Sequence, residues 1–451
     1  MTFLRGLLAG RSHLAFLVGL AGAFAAVHAT SDVAEPAAGG WASSAADVRA
    51  LPLRRPAPLS RRERELAETA WSYFARNTDP RTGLTSSVKG YPSTTMWDVG
   101  SQLMATLAAE DLQLVSRADA LARLERALES LGSMPLCNSL PNKAYDTRTL
   151  EMVAYDNVPV PGGIGWSALD VARALVPLSL VVRRAPELAP AVERVVARWS
   201  LDRLTEGAAL RGATRDADGV LHAYQEGRLG YEQYAAKALL LWGITASTAL
   251  DYRAHLEPRR VGGRLVPVDD RHPRDHGGAH NAVTSEPWLL DGLEFGLDSA
   301  TADLARSILA AQERRYLATR RITAVSEDAI DRKPGFAYSA VVNGDDEWTA
   351  FLPDGTRAPH DLGFSVKAAL AWAVLFSGTY PDELFDAAVS VGGDADGLFA
   401  GRYDEGGEIN RAVSLNTNAV VLEALAYRAR GPFLRAPPSS AHLHAEAEVR
   451  Q

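Results

Sequence analysis

Apolar residues recur at helical spacing in one segment after another along this chain. Ser60, Arg61, Arg62 and Glu63 form a capping box, and Leu66, Ala70, Tyr73 and Phe74 follow on one face, predicting a first helix that ends near Asn77. The same periodicity predicts ten more, at 97–114, 117–131, 166–183, 187–205, 230–247, 286–296, 299–318, 362–378, 381–391 and 416–430. Several are joined by only a few residues, as at Ser116 and at Ala185 and Pro186, the mark of antiparallel helical hairpins. The gaps at 132–165, 206–229, 248–285 and 319–361 are longer and rich in Gly, Pro, Asp and β-branched residues. Short turns on one side and long loops on the other predict a mainly α fold, an (α/α)6 toroid whose active face is built from the loops. Six hairpins need twelve helices, one more than the pattern supplies. Residues 264–268 and 336–351 predict small strands borne on those loops.

The ends of the chain read differently. Arg5 and Arg11, an apolar run over 14–27 and the small-residue site Val27, His28, Ala29 predict a signal peptide over residues 1–29, hence a periplasmic or secreted protein. Left uncleaved, the same segment is an N-terminal membrane anchor. Residues 30–59, rich in Ala, Pro, Ser and Gly, predict a flexible tether, residues 60–432 the toroid and residues 433–451 a disordered tail. A formal net charge of −8 and the absence of any long basic run exclude a nucleic-acid partner. Stability has to come from packing, because a single cysteine, Cys137, permits no internal disulfide.

Polar and aromatic residues gather in six segments: TTMWDVGS (94–101), GIGWSALDVAR (163–173), EGRLGYEQYAA (226–236), TSEPWLLDGLEFG (284–296), ITAVSEDAID (322–331) and LNTNAVVLEAL (415–425). Each sets a carboxylate or amide near an apolar helical stripe, in most cases beside a Trp or Tyr. That combination suits a sugar, whose apolar face stacks on an indole while its hydroxyls bond to carboxylates and amides. Trp97, Trp166, Trp288 and Trp348 are the candidate platforms, each with the competing role of a core anchor. Asp98, Asp170 and Glu286 compete with plain helix capping, and Asp170 has Arg173 as an i,i+3 ion-pair partner. Glu226 and Glu232 flank Arg228, so a structural ion pair competes there too. Glu327 and Asp328 are adjacent in a non-periodic stretch, and a like charge beside a partly buried carboxyl raises its pKa as a general acid requires. Calcium binding competes at that pair but lacks a regular acidic spacing. His272, His276 and His280 recur every fourth residue, but Pro273, Gly277 and Gly278 disfavour the helix a metal site would need, so no metal is expected. The two DADG segments, 216–219 and 394–397, read as tight turns.

Five of these motifs, TTMWDVGS, GWSALDVAR, EGRLGYEQYAA, TSEPWLLDGLEFG and NTNAVVLEAL, resemble in order the motif series of the bacterial family known as domain of unknown function 3131, over residues 71–427. The resemblance implies an architecture similar to the six-hairpin toroid glycosidases, which mostly hydrolyse with inversion through an acid and a base and need no cofactor. On that basis Glu327 is expected as general acid and Asp98 as the group that activates water, with Glu286 and Glu226 in reserve. Trp97, Trp166, Tyr231, Trp288 and Asp328 are expected to line the sugar sites and Arg228 to orient a carboxylate or a hydroxyl. Two other readings stay open: a non-catalytic carbohydrate-binding or assembly factor for exopolysaccharide, and a polysaccharide lyase using Tyr231, Arg228 and His222.

Overall fold

A computed structural model describes residues 51–271 and 280–434. The expected signal peptide or anchor, most of the tether, the tail from residue 435, and His272 and His276 lie outside them. Twelve α-helices occur among the described residues, in two concentric sets. The inner set is α2 (Met96–Asp111), α4 (Ala168–Arg184), α6 (Tyr231–Leu240), α8 (Glu286–Leu290, continued by a π-helical turn Asp291–Phe295), α10 (Val366–Leu375) and α12 (Leu415–Arg430). They form a closed ring: α2 packs on α4, α4 on α6, α6 on α8, α8 on α10, α10 on α12 and α12 back on α2. The outer set is α1 (Arg61–Asn77), α3 (Arg117–Ser133), α5 (Ala189–Val196), α7 (Ser247–Leu250), α9 (Ser299–Thr319) and α11 (Thr379–Val391), each laid against one or two inner helices. The architecture is the expected (α/α)6 toroid. The helix that periodicity missed is α7, a single turn too short to show a period.

The two sets differ in sequence for a physical reason. Outer helices keep one wet face, so α1 buries Leu66, Ala67, Ala70, Tyr73 and Phe74 and exposes all its charges but Glu63. Inner helices are enclosed by the ring, and α10 buries all ten of its residues. Side-chain oxygens of Thr95, Ser167, Ser365 and Ser414 cap α2, α4, α10 and α12, satisfying amides that open onto the loop face. At Gly100 an added Cβ would stand 2.8 Å from the backbone of Arg173 and Ala174, so only glycine lets α2 and α4 approach this closely.

That contact places Arg173 inside the ring with no exposed surface. Its guanidinium pairs with Glu294 of the π-helical turn and with Glu423 of α12, and bonds Tyr234 Oη of α6 at 3.1 Å and Ser101 Oγ of α2 at 3.3 Å. Burial, with Glu294 alongside, pushes the Glu423 carboxyl well above the usual range, against the pull of Arg173. The expected Asp170–Arg173 pair does not form.

The loop strands appear where expected, as Arg264–Asp269 paired with Leu256–Val261, and Phe336–Asn343 paired with Asp346–Phe351. The segment ITAVSEDAID departs from the other five. It holds a strand, Glu327–Ala329, rather than an inner-helix start, and the fifth inner helix begins instead at Val366. At the chain's ends the expected boundaries move outward. Residues 51–59 are bonded to the ring: Arg54 N to Leu375 O at 2.8 Å, Ala57 N to Arg428 O at 2.8 Å, and Pro52 O accepting from Ser377 N at 2.8 Å. Leu434 N likewise bonds Glu294 O at 2.8 Å. These residues cover carbonyls of inner helices that would otherwise lack partners, which composition alone does not reveal.

Two outcomes follow from this architecture. Starting the chain at residue 60 instead of residue 51 should lower the melting temperature by roughly 2–4 °C, because the backbone hydrogen bonds between residues 51–59 and the ring are lost. An unchanged calorimetric Tm would show that the segment contributes nothing. Arg173→Met should cost roughly 3–5 kcal/mol in urea unfolding, because it leaves two buried carboxyls without their cation. A midpoint equal to wild type would refute the dependence of the ring on this ion cluster.

Candidate active site

The capped starts of the inner helices open on one face, and the loops between them raise its walls. On the floor, Trp97 of α2 lies edge-on to Tyr231 of α6, ring centroids 5.7 Å apart, with the Arg173 guanidinium 5.9 Å from the indole centroid. Trp97 Nε1 donates to Glu286 Oε1 at 3.2 Å, and Asn416 Nδ2 donates to the same oxygen at 2.8 Å. The other Glu286 oxygen is held by Lys367 Nζ, in a pair that is almost fully buried. Both oxygens of Glu286 are thus occupied, and the residue ties α2, α8, α10 and α12 together at the floor.

One wall carries Glu327 and Asp328. Glu327 Oε2 accepts from Thr284 Oγ1 at 2.7 Å and Ser326 Oγ at 3.0 Å, while Asp328 Oδ1 stands 3.7 Å from Lys367 Nζ. Alternation along the strand turns the two side chains to different surroundings. The expectation was that Asp328 would raise Glu327. The larger perturbation falls on Asp328, whose carboxyl burial pushes up to about 7 despite Lys367, with Glu286 and Glu327 adding to the effect. Glu327 is raised by burial and drawn back by Lys367.

The other wall carries Asp170 and Glu226. Glu226 Oε2 accepts from the Ala168 amide at 2.5 Å, seating its carboxylate at the start of α4. Ser167, the cap of α4, bonds to both carboxyls. Burial, then the charge of Glu226, push the Asp170 carboxyl up to about 7, against the pull of Lys143. Lys143 Nζ is fixed by Thr214 Oγ1 at 2.8 Å and Tyr224 Oη at 3.1 Å. Asp98 lies between the walls at the start of α2. Its Oδ2 accepts from the hydroxyls of Ser87 and Thr95, and burial raises its pKa, with Glu286 adding to the rise.

The structure brings together Trp97, Tyr231, Asp98, Glu286, Glu226, Glu327 and Asp328 and removes the other expected residues from the cleft. Trp166 is 4% exposed, its Nε1 bonded to Arg211 O at 3.2 Å and its ring covered by Arg203, so it has no face left for a sugar. Trp288 is 3% exposed and packs beneath Gly230. Trp348 lies under the guanidinium of Arg315. Arg228 is buried and bonds Gln225 Oε1 at 2.6 Å, and Glu232 pairs with Arg271. His222 pairs with Asp216 at 2.6 Å on the exposed end of the hairpin of strands Ala209–Arg215 and Leu221–Gln225. Sequence reasoning passed over Lys367, Lys143, Asn416 and Tyr338. Lys367 had a visible signal: it is the lone charge in the apolar helix VKAALAWAVL, where only a buried anion could hold it.

Comparison with solved structures identifies the same toroid at low sequence identity. A candidate glucoamylase from Bacteroides caccae superposes with a TM-score of 0.59 at 14% identity, covering 83% of this chain and 94% of that one. An endo-β-1,2-glucanase from Chitinophaga pinensis, in complex with sophorotriose and glucose, gives 0.56 at 11% identity over 84% and 94%. An endo-β-1,2-glucanase from Talaromyces funiculosus, in complex with β-1,2-glucan, gives 0.54 at 11% over 87% of each chain. A search of curated protein sequences gives no match. Residues 65–431 match the model of the family described as protein of unknown function (DUF3131), and the chain is a member of that family.

Proposed function

We propose that this protein is an exported glycoside hydrolase that cleaves an oligo- or polysaccharide with inversion, in the periplasm or outside the cell. The observation that supports it most is the convergence of carboxyls from two walls over one aromatic floor. The phenol of Tyr338 lies between those walls, where Glu327 and Asp170 both oppose its ionisation. Inversion needs such a pair, with room between its members for the sugar and an attacking water. Asp170 is the proton donor: its carboxyl, at about 7, still holds a proton near neutral pH. Glu327 activates the water, its anion supported by two hydroxyl donors and the nearby Lys367. This reverses the role suggested by residue pattern for Glu327. It also moves Asp98, held by Ser87 and Thr95, to positioning the start of α2. Glu286 acts through others, by fixing Trp97 and Asn416. Trp97 and Tyr231 form the corner on which a sugar ring stacks. Because two structural neighbours are endo-β-1,2-glucanases, β-1,2-glucan is the first polymer to test, ahead of α-glucans and uronate polymers.

On this reading the purified protein releases reducing ends from one polymer of such a panel, and proton NMR of the first product shows the inverted anomer. No release from any polymer, or a retained anomer, would overturn it. Asp170→Asn should keep glycan binding and lose at least about 10²-fold in kcat, and wild-type activity should fall as pH rises through about 7, where the donor loses its proton. The same carboxyl makes a second, independent prediction. Between its ordinary value of about 3.9 and about 7, the folded chain holds a proton that the unfolded chain has released, so stability declines as pH rises through that window. Asp170→Asn removes the penalty. Its unfolding free energy from urea titration should exceed that of wild type at pH 8, by no more than about 4 kcal/mol, and converge with it below about pH 4. Parallel stability curves across that range would show that Asp170 titrates normally.

A further inference from the structure

The loop over 147–164 presents an aromatic ring that none of the proposed chemistry uses. Tyr155 is 63% exposed, with Val158 beside it at 55% and Tyr91 at 36%. The loop is nonetheless stiff. Asp146 accepts from the backbone amides of Arg148 at 2.8 Å and Thr149 at 3.0 Å, and from Asn157 Nδ2 at 3.0 Å. Ala154 N bonds Val158 O at 2.9 Å, and Tyr91 Oη donates to Tyr155 O at 2.8 Å. The strand Met152–Val153 pairs with Ala144–Asp146, which pairs with Ser93–Thr95, the strand that runs directly into α2. Tyr155 is therefore fixed at the mouth of the cleft. Asp170, Tyr338, Tyr224 and Glu226 lie close enough to oppose ionisation of its phenol. Across from it, Tyr338 stacks on Phe351 with centroids 5.0 Å apart and an interplanar angle of 8°, and Phe336, 37% exposed, lies edge-on to Tyr338 at 5.2 Å.

We infer that Tyr155 on one side, and Phe336 with Tyr338 on the other, form a sugar subsite at the Asp170–Glu226 end of the cleft that grips a pyranose unit of a β-linked glucan beyond the bond that is cut. An exposed aromatic held rigidly is costly to leave in water and loses little side-chain entropy when a ring stacks on it. The inference rests on the glycan reading above and adds to it a chain-length requirement: short oligosaccharides fill the floor alone, and longer ones reach Tyr155.

Isothermal titration of the full chain with a size ladder of β-1,2-glucan oligosaccharides, and with β-1,3- and α-1,4-linked ladders alongside, tests it. Tyr155→Ala should weaken the longer members of the bound ladder by about 3–10-fold and leave the shortest unchanged, whereas Tyr155→Phe, which keeps the ring, should match wild type. Tyr155 is exposed, so neither substitution disturbs the core, and an unchanged Tm confirms that. If wild type binds a ladder and Tyr155→Ala binds every member equally well, the subsite is wrong while the glycan reading stands. If wild type binds none of the ladders, the glycan reading is overturned and the subsite with it.

Discussion

A single buried cation holds the ring closed. Arg173 projects from α4 into the centre and is met there by carboxylates from the π-helical turn and α12 and by hydroxyls from α2 and α6, so five of the six inner helices converge on one guanidinium. Taking that charge out of water costs several kcal/mol, recovered only if every donor is engaged, and the planar fork of arginine can serve that many directions where lysine cannot. The π-helical turn makes sense in this light. It swings Glu294 inward from a helix that α-helical continuation would have aimed elsewhere.

The floor of the cleft stands directly on that centre. Trp97 rests over Arg173 and hands its Nε1–H to Glu286, which also receives Asn416 and Lys367. Each of these groups serves two neighbours. The aromatic corner therefore inherits the rigidity of the axis, and the two carboxyl walls are left as the parts of the site with unusual proton affinity. Burying carboxyls at about 7 lowers stability near neutrality, a cost tolerated where a proton must be held ready.

Much of this was legible in the sequence. The capped helix starts, the short turns and the long loops specified the toroid, because 3.6-residue periodicity and Ser or Thr caps are local properties that survive tertiary context. The motif segments likewise marked the site through Trp97, Asp98, Glu286 and Glu327. What failed was everything decided by contacts distant in sequence. Asp170 and Arg173 sit at ion-pair spacing, yet burial gave Arg173 stronger partners 121 and 250 residues away. Trp166 and Trp288 carry the same local signature as a stacking platform and turned out to be packing anchors, since an indole beside a helix start serves either purpose. Glu327 was expected to hold the raised carboxyl and Asp328 to line the sugar site, but strand alternation gives the two different surroundings and Asp328 is the one pushed up to about 7.

The span between Arg173 and Glu423 carries a kinetic consequence. Arg173 meets Glu294 before the last helix is made, but Glu423 arrives only with α12, which is also the surface on which both α1 and α2 come to rest. A growing polypeptide that lacks α12 has only part of the anionic cage of Arg173 in place, at the centre of an open horseshoe. The largest loop-closure entropy is thus met last, by the segment that completes the circle, placing this topology among those that fold slowly and in one concerted closing step.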